Sequence, residues 1–84
     1  MTSFLHVCAA AYQVFRQKSA VKYPSWDTLD HYEQHQVIRD EFNEVDEAYK
    51  RGDINGPHGL IAELLDLIVV CVRRIMELSK GGGK

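Results

Sequence analysis

Two acidic residues, Glu63 and Asp66, lie within the most apolar stretch of the sequence, which runs from residue 60 to residue 72. An isolated carboxylate is costly to bury, because its charge loses the solvation that water provides. Residues three apart on a helix lie on the same side, about one turn from each other. Two carboxylates held this close repel each other unless a cation lies between them. The spacing therefore predicts a divalent metal site on this segment.

A second acidic group has the same spacing in the preceding segment, where Glu41, Glu44 and Glu47 offer two possible pairs. At about 100° per residue, apolar side chains of this segment share one face of a helix. This predicted core stripe consists of Ile38, Phe42, Val45 and Tyr49. Glu41 lies at the edge of the stripe and Glu44 lies next to Glu41, whereas Glu47 lies further round, towards solvent. The inward pair is therefore predicted to be Glu41 and Glu44.

The two acidic pairs are predicted to meet across a helical hairpin. A short turn over residues 53–57 separates the two helices, and such a turn favours an antiparallel pair. Both acidic pairs lie a similar number of residues from this turn, so they are at similar heights above it. Carboxylate oxygens favour the hard ions Mg²⁺ or Mn²⁺. We therefore expect one metal site with four ligands, from Glu41, Glu44, Glu63 and Asp66.

The sequence predicts an all-α chain in which an N-terminal helix precedes the hairpin. The first helix is expected over residues 3–18, with a connector over residues 19–26. The second helix is expected to begin at residue 27 or 28 and to end at Arg51, because Gly52 supplies a helix stop.

The third helix is expected to begin at Pro57, whose missing N–H donor costs nothing at a first helical position, and to reach about Ser79. Residues 79–84 then form a flexible tail of the single predicted domain, residues 1–84. The third helix is apolar nearly all round, so more than one neighbour must cover it. Because the rest of so short a chain can barely do so, we expect a four-helix-bundle-like homodimer or homotetramer.

Composition and charge argue against several classes of partner. The 84 residues carry 10 basic and 12 acidic side chains in a mixed pattern, which does not suit binding to nucleic acid. The apolar run is too short to cross a bilayer, and the N-terminus lacks the basic residues of a signal peptide. Cys8 and Cys71 fall in apolar helical patterns and are interpreted as reduced core residues. We therefore expect a cytoplasmic protein with no membrane partner.

The order and spacing of the acidic residues resemble a known family. Asp40-Glu41-x-x-Glu44, followed by Glu63-x-x-Asp66, resembles the EExxE…ExxD signature of the all-α nucleotide pyrophosphohydrolases. These are the MazG-like enzymes, kin to dimeric dUTPases and to phosphoribosyl-ATP pyrophosphohydrolase. In this resemblance the catalytic metal ligands match Glu41, Glu44, Glu63 and Asp66, whereas Asp40 stands where the family usually has its first glutamate.

The resemblance covers about residues 30–75 and implies an activity. That activity is Mg²⁺-dependent hydrolysis of a nucleoside triphosphate to the monophosphate and pyrophosphate, in a house-cleaning role. Arg73 continues the acidic face of the third helix two turns on and is expected to bind a phosphate. The weaker candidates, each better explained as an exposed charge, are Arg39, Lys50, Lys18 and Lys22. Tyr23 and Trp26 are expected to stack on the base, although packing against the helices explains them equally well.

Three other kinds of site or function can be weighed against the motifs of the sequence. A di-iron carboxylate bundle uses an ExxH motif, which the chain lacks. His31 and His35 have the spacing of a zinc pair, but without a third ligand they are better interpreted as a solvated helix face. The main alternative is a non-catalytic helical dimerisation or binding module with a degenerate metal site, which Asp40 leaves open.

Overall fold

The part of the chain that the structure describes folds into three α-helices, with the third at the centre. A computed structural model describes the backbone of residues 3–21 and 26–82. Helix α1 spans Phe4–Val21, α2 spans His31–Arg51 and α3 spans Leu60–Glu77. Within the described ranges there is no strand, which confirms the prediction of an all-α chain. In the same ranges, no helix is both long and apolar enough to cross a membrane.

Local signals define both ends of α2. The Asp30 carboxylate accepts the backbone N–H of Glu33 at 2.8 Å, and the Glu33 carboxylate accepts the backbone N–H of Asp30 at 2.9 Å. This reciprocal capping box places the helix start at His31, so the earlier start predicted from the sequence is wrong. At the other end, Gly52 adopts a φ of 72°, a left-handed conformation that glycine reaches without strain. The predicted stop at Gly52 is confirmed.

The loop between α2 and α3 is longer than predicted. Asp53 organises it: its Oδ1 accepts the N–H of Gly56 at 2.9 Å, and its backbone carbonyl accepts the N–H of Leu60 at 2.8 Å. Helix α3 therefore begins at Leu60, with Gly59 as its N-cap, and not at Pro57 as predicted. A Cβ at Gly59 would lie 2.8 Å from the backbone nitrogen of Gly56, so this close approach requires glycine.

Short irregular helical turns flank the three main helices. Trp26–Thr28 form a 3₁₀ turn ahead of α2, in a segment predicted to be partly connector and partly helix. After α3, the chain continues as a π-helical turn over Leu78–Gly82. The segment predicted to be a flexible tail therefore has helical structure as far as Gly82, and its last two residues lie outside the described part of the chain.

Helix α3 packs against both α1 and α2 and runs antiparallel to each of them. On the α2 side, the acidic residues of both helices meet near the loop, and Gln34 meets Arg74 at the far end. On the α1 side, Lys18 lies beside Asp66 near the start of α3. The predicted antiparallel hairpin of α2 and α3 is therefore present, and α1 flanks its central helix.

Burial on α2 differs from the predicted core stripe. Phe42 and Tyr49 are 59% and 70% exposed, so the prediction that they form part of the core is wrong for a single chain. The face that α3 covers carries Gln34, Glu41 and Ala48 instead. This face is partly polar because the acidic site and a hydrogen-bond network occupy it. Ile38 and Val45 of the predicted stripe are half-buried, so the apolar face of α2 is only partly covered.

The cysteine prediction also needs correction. Cys8 is exposed and Cys71 is half-buried, and both are free thiols. Cys8 lies on the same open side of the fold as Phe4 and Tyr12, where no described residue covers α1. An apolar helical pattern is thus not sufficient to place a side chain in the core of a chain this small.

A buried polar network connects the far end of α3 to the start of α2. Arg74, which is 8% exposed, donates from Nη1 to Oε1 of Gln34 at 2.7 Å. The amide nitrogen of Gln34 in turn donates to the backbone carbonyls of Trp26 and Leu29, each at 3.3 Å. The other guanidinium nitrogen, Nη2, contacts the ring of His31. His31, predicted to be only solvated, is thus part of the contact between the helices.

Candidate metal centre

Three glutamates from two helices converge between α2 and α3. Glu41, Glu44 and Glu63 each offer one carboxylate oxygen, and these oxygens all lie within 4.8 Å of one another. Glu41 is 2% exposed and Glu63 is 6% exposed, whereas Glu44 is half-buried. We refer to these residues as the three-glutamate cluster. Three of the four acidic residues that were expected to converge from α2 and α3 therefore lie together.

The helical positions of these residues explain their orientation. Glu41 and Glu44 are one turn apart on the face of α2 that α3 covers, and Ala48 on the next turn is fully buried. Glu47 is exposed, which confirms the prediction that it faces solvent. Glu63 lies in the first turn of α3, where the positive end of the helix dipole stabilises a carboxylate.

The loop before α3 places a histidine at the rim of the cluster. Nδ1 of His58 lies 3.8 Å from Oε2 of Glu63, and the histidine side chain is largely exposed. Arg51 donates from Nη2 to the backbone carbonyl of His58 at 2.8 Å, which holds this part of the loop against the end of α2. Sequence reasoning missed His58, because a single histidine without a spaced partner gives no signal until the loop is folded.

Asp66, the fourth predicted ligand, lies one turn after Glu63 on α3 but is not one of the clustered acids. Its Oδ2 is 3.7 Å from Nζ of Lys18 on α1. Residues three apart on a helix point in directions about 60° apart, since each residue rotates by about 100°. Glu63 is therefore directed towards α2, whereas Asp66 is directed towards α1.

Asp40 does not join the other acids. It is exposed on α2, and its Oδ1 accepts the side-chain N–H of Gln36 one turn earlier at 3.2 Å. This placement fits a solvated helix residue.

Arg73 and Trp26, two of the predicted substrate-binding residues, contact each other. The guanidinium carbon of Arg73 lies 5.3 Å from the ring centroid of Trp26 and 5.7 Å from that of Phe15. Trp26 is only 2% exposed. This cation–π packing joins α1, the 3₁₀ turn and α3, so both side chains have a structural role. Their contacts with phosphate and base stay predictions that require this packing to open, and Tyr23 lies outside the described residues.

The donor set of the three-glutamate cluster fits a hard divalent cation. Carboxylates held this close, with little access to water, repel one another, and a divalent ion between them removes the repulsion. The cluster offers only oxygen donors, which suit Mg²⁺ or Mn²⁺ better than zinc or copper. Glu41, Glu44 and Glu63 are therefore the residues that would hold such an ion.

Comparison of the chain with protein families, with curated proteins and with solved structures finds no match.

Proposed function

We propose that the chain is a Mg²⁺-dependent nucleoside triphosphate pyrophosphohydrolase, with Mn²⁺ as an alternative ion. The observation that carries the proposal is the convergence of Glu41, Glu44 and Glu63 on one point, with Asp66 on the next turn of α3. This arrangement puts the residues of both acidic motifs beside each other at the contact of two helices. The sequence resemblance supplies the reaction, in which a triphosphate is cleaved to a monophosphate and pyrophosphate.

The burial of the three glutamates suggests a division of roles among them. A divalent ion held at such a site neutralises charge on phosphate oxygens and increases the acidity of a bound water. Glu41 and Glu63 are almost fully buried, so they are suited to hold the ion in a fixed position. Glu44 is the most accessible of the three and is suited to accept a proton from the attacking water. Water is consumed, and the bond between the α and β phosphates breaks.

Triphosphate binding also requires positive charge near the acids. Lys18 on α1 lies 3.7 Å from Asp66, and His58 on the α2–α3 loop lies 3.8 Å from Glu63. Arg73 and Trp26 remain proposed contacts for phosphate and base, with Tyr23 as a second aromatic residue. The two free thiols and a nucleotide substrate fit a cytoplasmic, house-cleaning enzyme.

The activity is tested by incubating the protein with Mg²⁺ and a panel of canonical, deoxy and modified nucleoside triphosphates. We expect pyrophosphate and the monophosphate as products. Glu44→Gln is expected to lower the rate by about 100-fold or more, because the loss of a carboxylate at the reacting phosphates removes several kcal/mol of stabilisation. Products are identified by anion-exchange chromatography, which separates the monophosphate from the diphosphate.

The matched control is Glu47→Gln, which makes the same chemical change one turn further along α2 on an exposed side chain. It is expected to leave the rate within twofold of wild type. Release of inorganic phosphate together with a diphosphate would contradict cleavage between the α and β phosphates. If no nucleotide in the panel is hydrolysed, the alternative of a non-catalytic helical dimerisation or binding module is favoured.

We also propose that the protein is a homodimer or homotetramer. Along α3, five exposed apolar side chains form a stripe with successive steps of three, four, four and three residues, which is close to the spacing of a helix–helix seam; they are Ile61, Leu64, Ile68, Val72 and Ile75. Beside it, α1 exposes Phe4, Leu5 and Tyr12. Continuous apolar surface of this kind marks an interface in a soluble protein. A second copy brings an identical stripe, so the two copies can pair symmetrically.

The assembly is tested with Ile68→Asp, which places a charge at the centre of the stripe. We expect the wild type to sediment as a dimer or tetramer at micromolar concentration and the variant to sediment as a monomer, because an unpaired buried charge costs several kcal/mol. Ile54→Asp is the matched control, since Ile54 is 49% exposed in the α2–α3 loop, outside the stripe. A wild type that stays monomeric up to about 100 µM, well above the concentration at which a micromolar interface associates, would contradict the proposal.

A further inference from the structure

We propose that Lys18 is an exchangeable counterion of Asp66, which releases Asp66 to the three-glutamate cluster when a divalent cation binds. In the same exchange, the ammonium group of Lys18 becomes available to an anionic phosphate beside the cluster. The inference rests on the proposed function, because it assigns a role to α1 in the same site. It makes Lys18 a positioning residue for Asp66 and a binding residue for the phosphate chain.

The ion pair joins two helices at the edge of the acidic site. Nζ of Lys18 lies 3.7 Å from Oδ2 of Asp66, and the Asp66 side chain is 13% exposed. This distance is long for a charge-assisted hydrogen bond, for which about 2.7–2.9 Å is usual. The pair is thus an electrostatic contact that neutralises Asp66 without fixing its carboxylate in one orientation.

Asp66 is placed to move between two partners. It lies one turn after Glu63 on the same helix, and its carboxylate is not among the three that converge between α2 and α3. An aspartate has only two side-chain torsions, and rotation about the first swings its carboxylate without moving the helix. A bound cation at the cluster attracts this carboxylate and repels the Lys18 ammonium.

The released ammonium remains beside the cluster, because Lys18 belongs to the last turns of α1 and that helix packs along α3. The Lys18 side chain is 36% exposed, so it can turn towards solvent and meet an incoming anion. Lysine is suited to this exchange, since its ammonium is a compact charge on a flexible stem. The chain thereby uses one cation to balance Asp66 in the metal-free protein and to bind phosphate in the metal-loaded protein.

The exchange is tested by calorimetric titration with Mn²⁺ alone, without nucleotide, of four proteins: wild type, Lys18→Met, Asp66→Asn and the double variant. If Lys18 competes with the cation for Asp66, Lys18→Met binds Mn²⁺ about two- to fivefold more tightly than wild type, the range available to a partly exposed ion pair. In the Asp66→Asn background, the same substitution leaves Mn²⁺ affinity unchanged. A second titration, of the Mn²⁺-loaded proteins with pyrophosphate, is expected to show weaker binding by Lys18→Met.

Lys50→Met serves as the matched control. Lys50 pairs with Asp46 at 3.0 Å on α2, and its hydrogen bond to that carboxylate raises the pKa of Lys50. Removing this cation is expected to leave Mn²⁺ affinity unchanged, because Asp46 is not one of the clustered acids.

Three results would overturn the exchange. The first is an unchanged Mn²⁺ affinity in Lys18→Met, and the second is a failure of the wild type to bind Mn²⁺. The third is an equal gain in Mn²⁺ affinity when Lys18→Met is made in the Asp66→Asn background, because that result would indicate only a general charge effect. If the effect of Lys18→Met on Mn²⁺ affinity depends on Asp66 but the protein hydrolyses no nucleotide, the proposed activity is refuted and the exchange is supported. If the protein hydrolyses nucleotides but the effect of Lys18→Met does not depend on Asp66, only the exchange is refuted.

Discussion

Glu63→Gln is expected to abolish binding of Mg²⁺ or Mn²⁺ at the cluster and, with it, hydrolysis of the substrate. Glutamine has nearly the same size as glutamate but carries no charge, so the variant keeps the packing while it removes one of the three carboxylates. The effect is expected to be large because Glu63 is the only member of the cluster on α3 and is 6% exposed. Without it, no carboxylate of the cluster remains on the facing helix, and Asp66 on the next turn of α3 is paired with Lys18 of α1.

The same variant separates metal binding from folding. In the wild type, a cation at 100 times its Kd is expected to stabilise the folded state by about 2.7 kcal/mol. For a domain of this size that corresponds to a rise in Tm of roughly 10–20 °C. In Glu63→Gln this metal-dependent rise is expected to be lost, while the Tm without metal stays the same or increases, because one of three mutually repelling charges has been removed.

The matched control for this experiment is Glu77→Gln on the same helix. Glu77 lies near the end of α3 and pairs with Lys80 at 3.4 Å, away from the cluster. Its Mn²⁺ affinity and metal-dependent Tm shift are expected to equal those of wild type. Retention of wild-type Mn²⁺ affinity by Glu63→Gln would contradict the assignment of the metal site, whatever the activity of the variant.

Helix content and the inward acids could be predicted because both depend on local periodicity. The end of α2 followed from one glycine, and Glu41 and Glu44 could be distinguished from Glu47 by rotation around a single helix. The approach of Glu63 to this pair required only one further assumption, that a short loop makes an antiparallel hairpin. These features depend on few degrees of freedom, so the sequence was sufficient for them.

Features that depend on the packing of a third element were not predictable in the same way. The direction of Asp66 depends on where α1 lies against α3, and no local pattern determines that position. Trp26 and Arg73 were each predicted to contact the substrate, yet they contact each other because the 3₁₀ turn folds over α3. The exposure of Phe42 has a related cause, since the face of α2 that α3 covers is partly polar and Phe42 and Tyr49 lie outside it.

The network around Arg74 was also missed, and it is expected to be one of the largest contributors to stability in the chain. Arg74→Met is expected to destabilise the folded state by about 2 kcal/mol, because Oε1 of Gln34 loses its donor in a buried position. Methionine fills much of the volume of the arginine stem, so the loss reflects the polar contacts more than a cavity. For a chain of this size, the expected fall in Tm is roughly 10 °C, measured by thermal denaturation at a fixed protein concentration.

A double-mutant cycle with Gln34→Ala isolates the hydrogen bond from the rest of the effect. If the two side chains act together, Arg74→Met costs at least about 1 kcal/mol less in the Gln34→Ala background than in wild type.

Arg74→Lys is expected to recover only part of the loss, since an ammonium cannot reproduce the planar fork that reaches both Gln34 and His31. Arg39→Met provides the matched control on an exposed arginine of α2 and is expected to change stability by less than about 0.5 kcal/mol. If Arg74→Met lowers the free energy of unfolding equally in wild type and in Gln34→Ala, its hydrogen bond to Gln34 does not stabilise the fold. Arg74 would then act through packing alone.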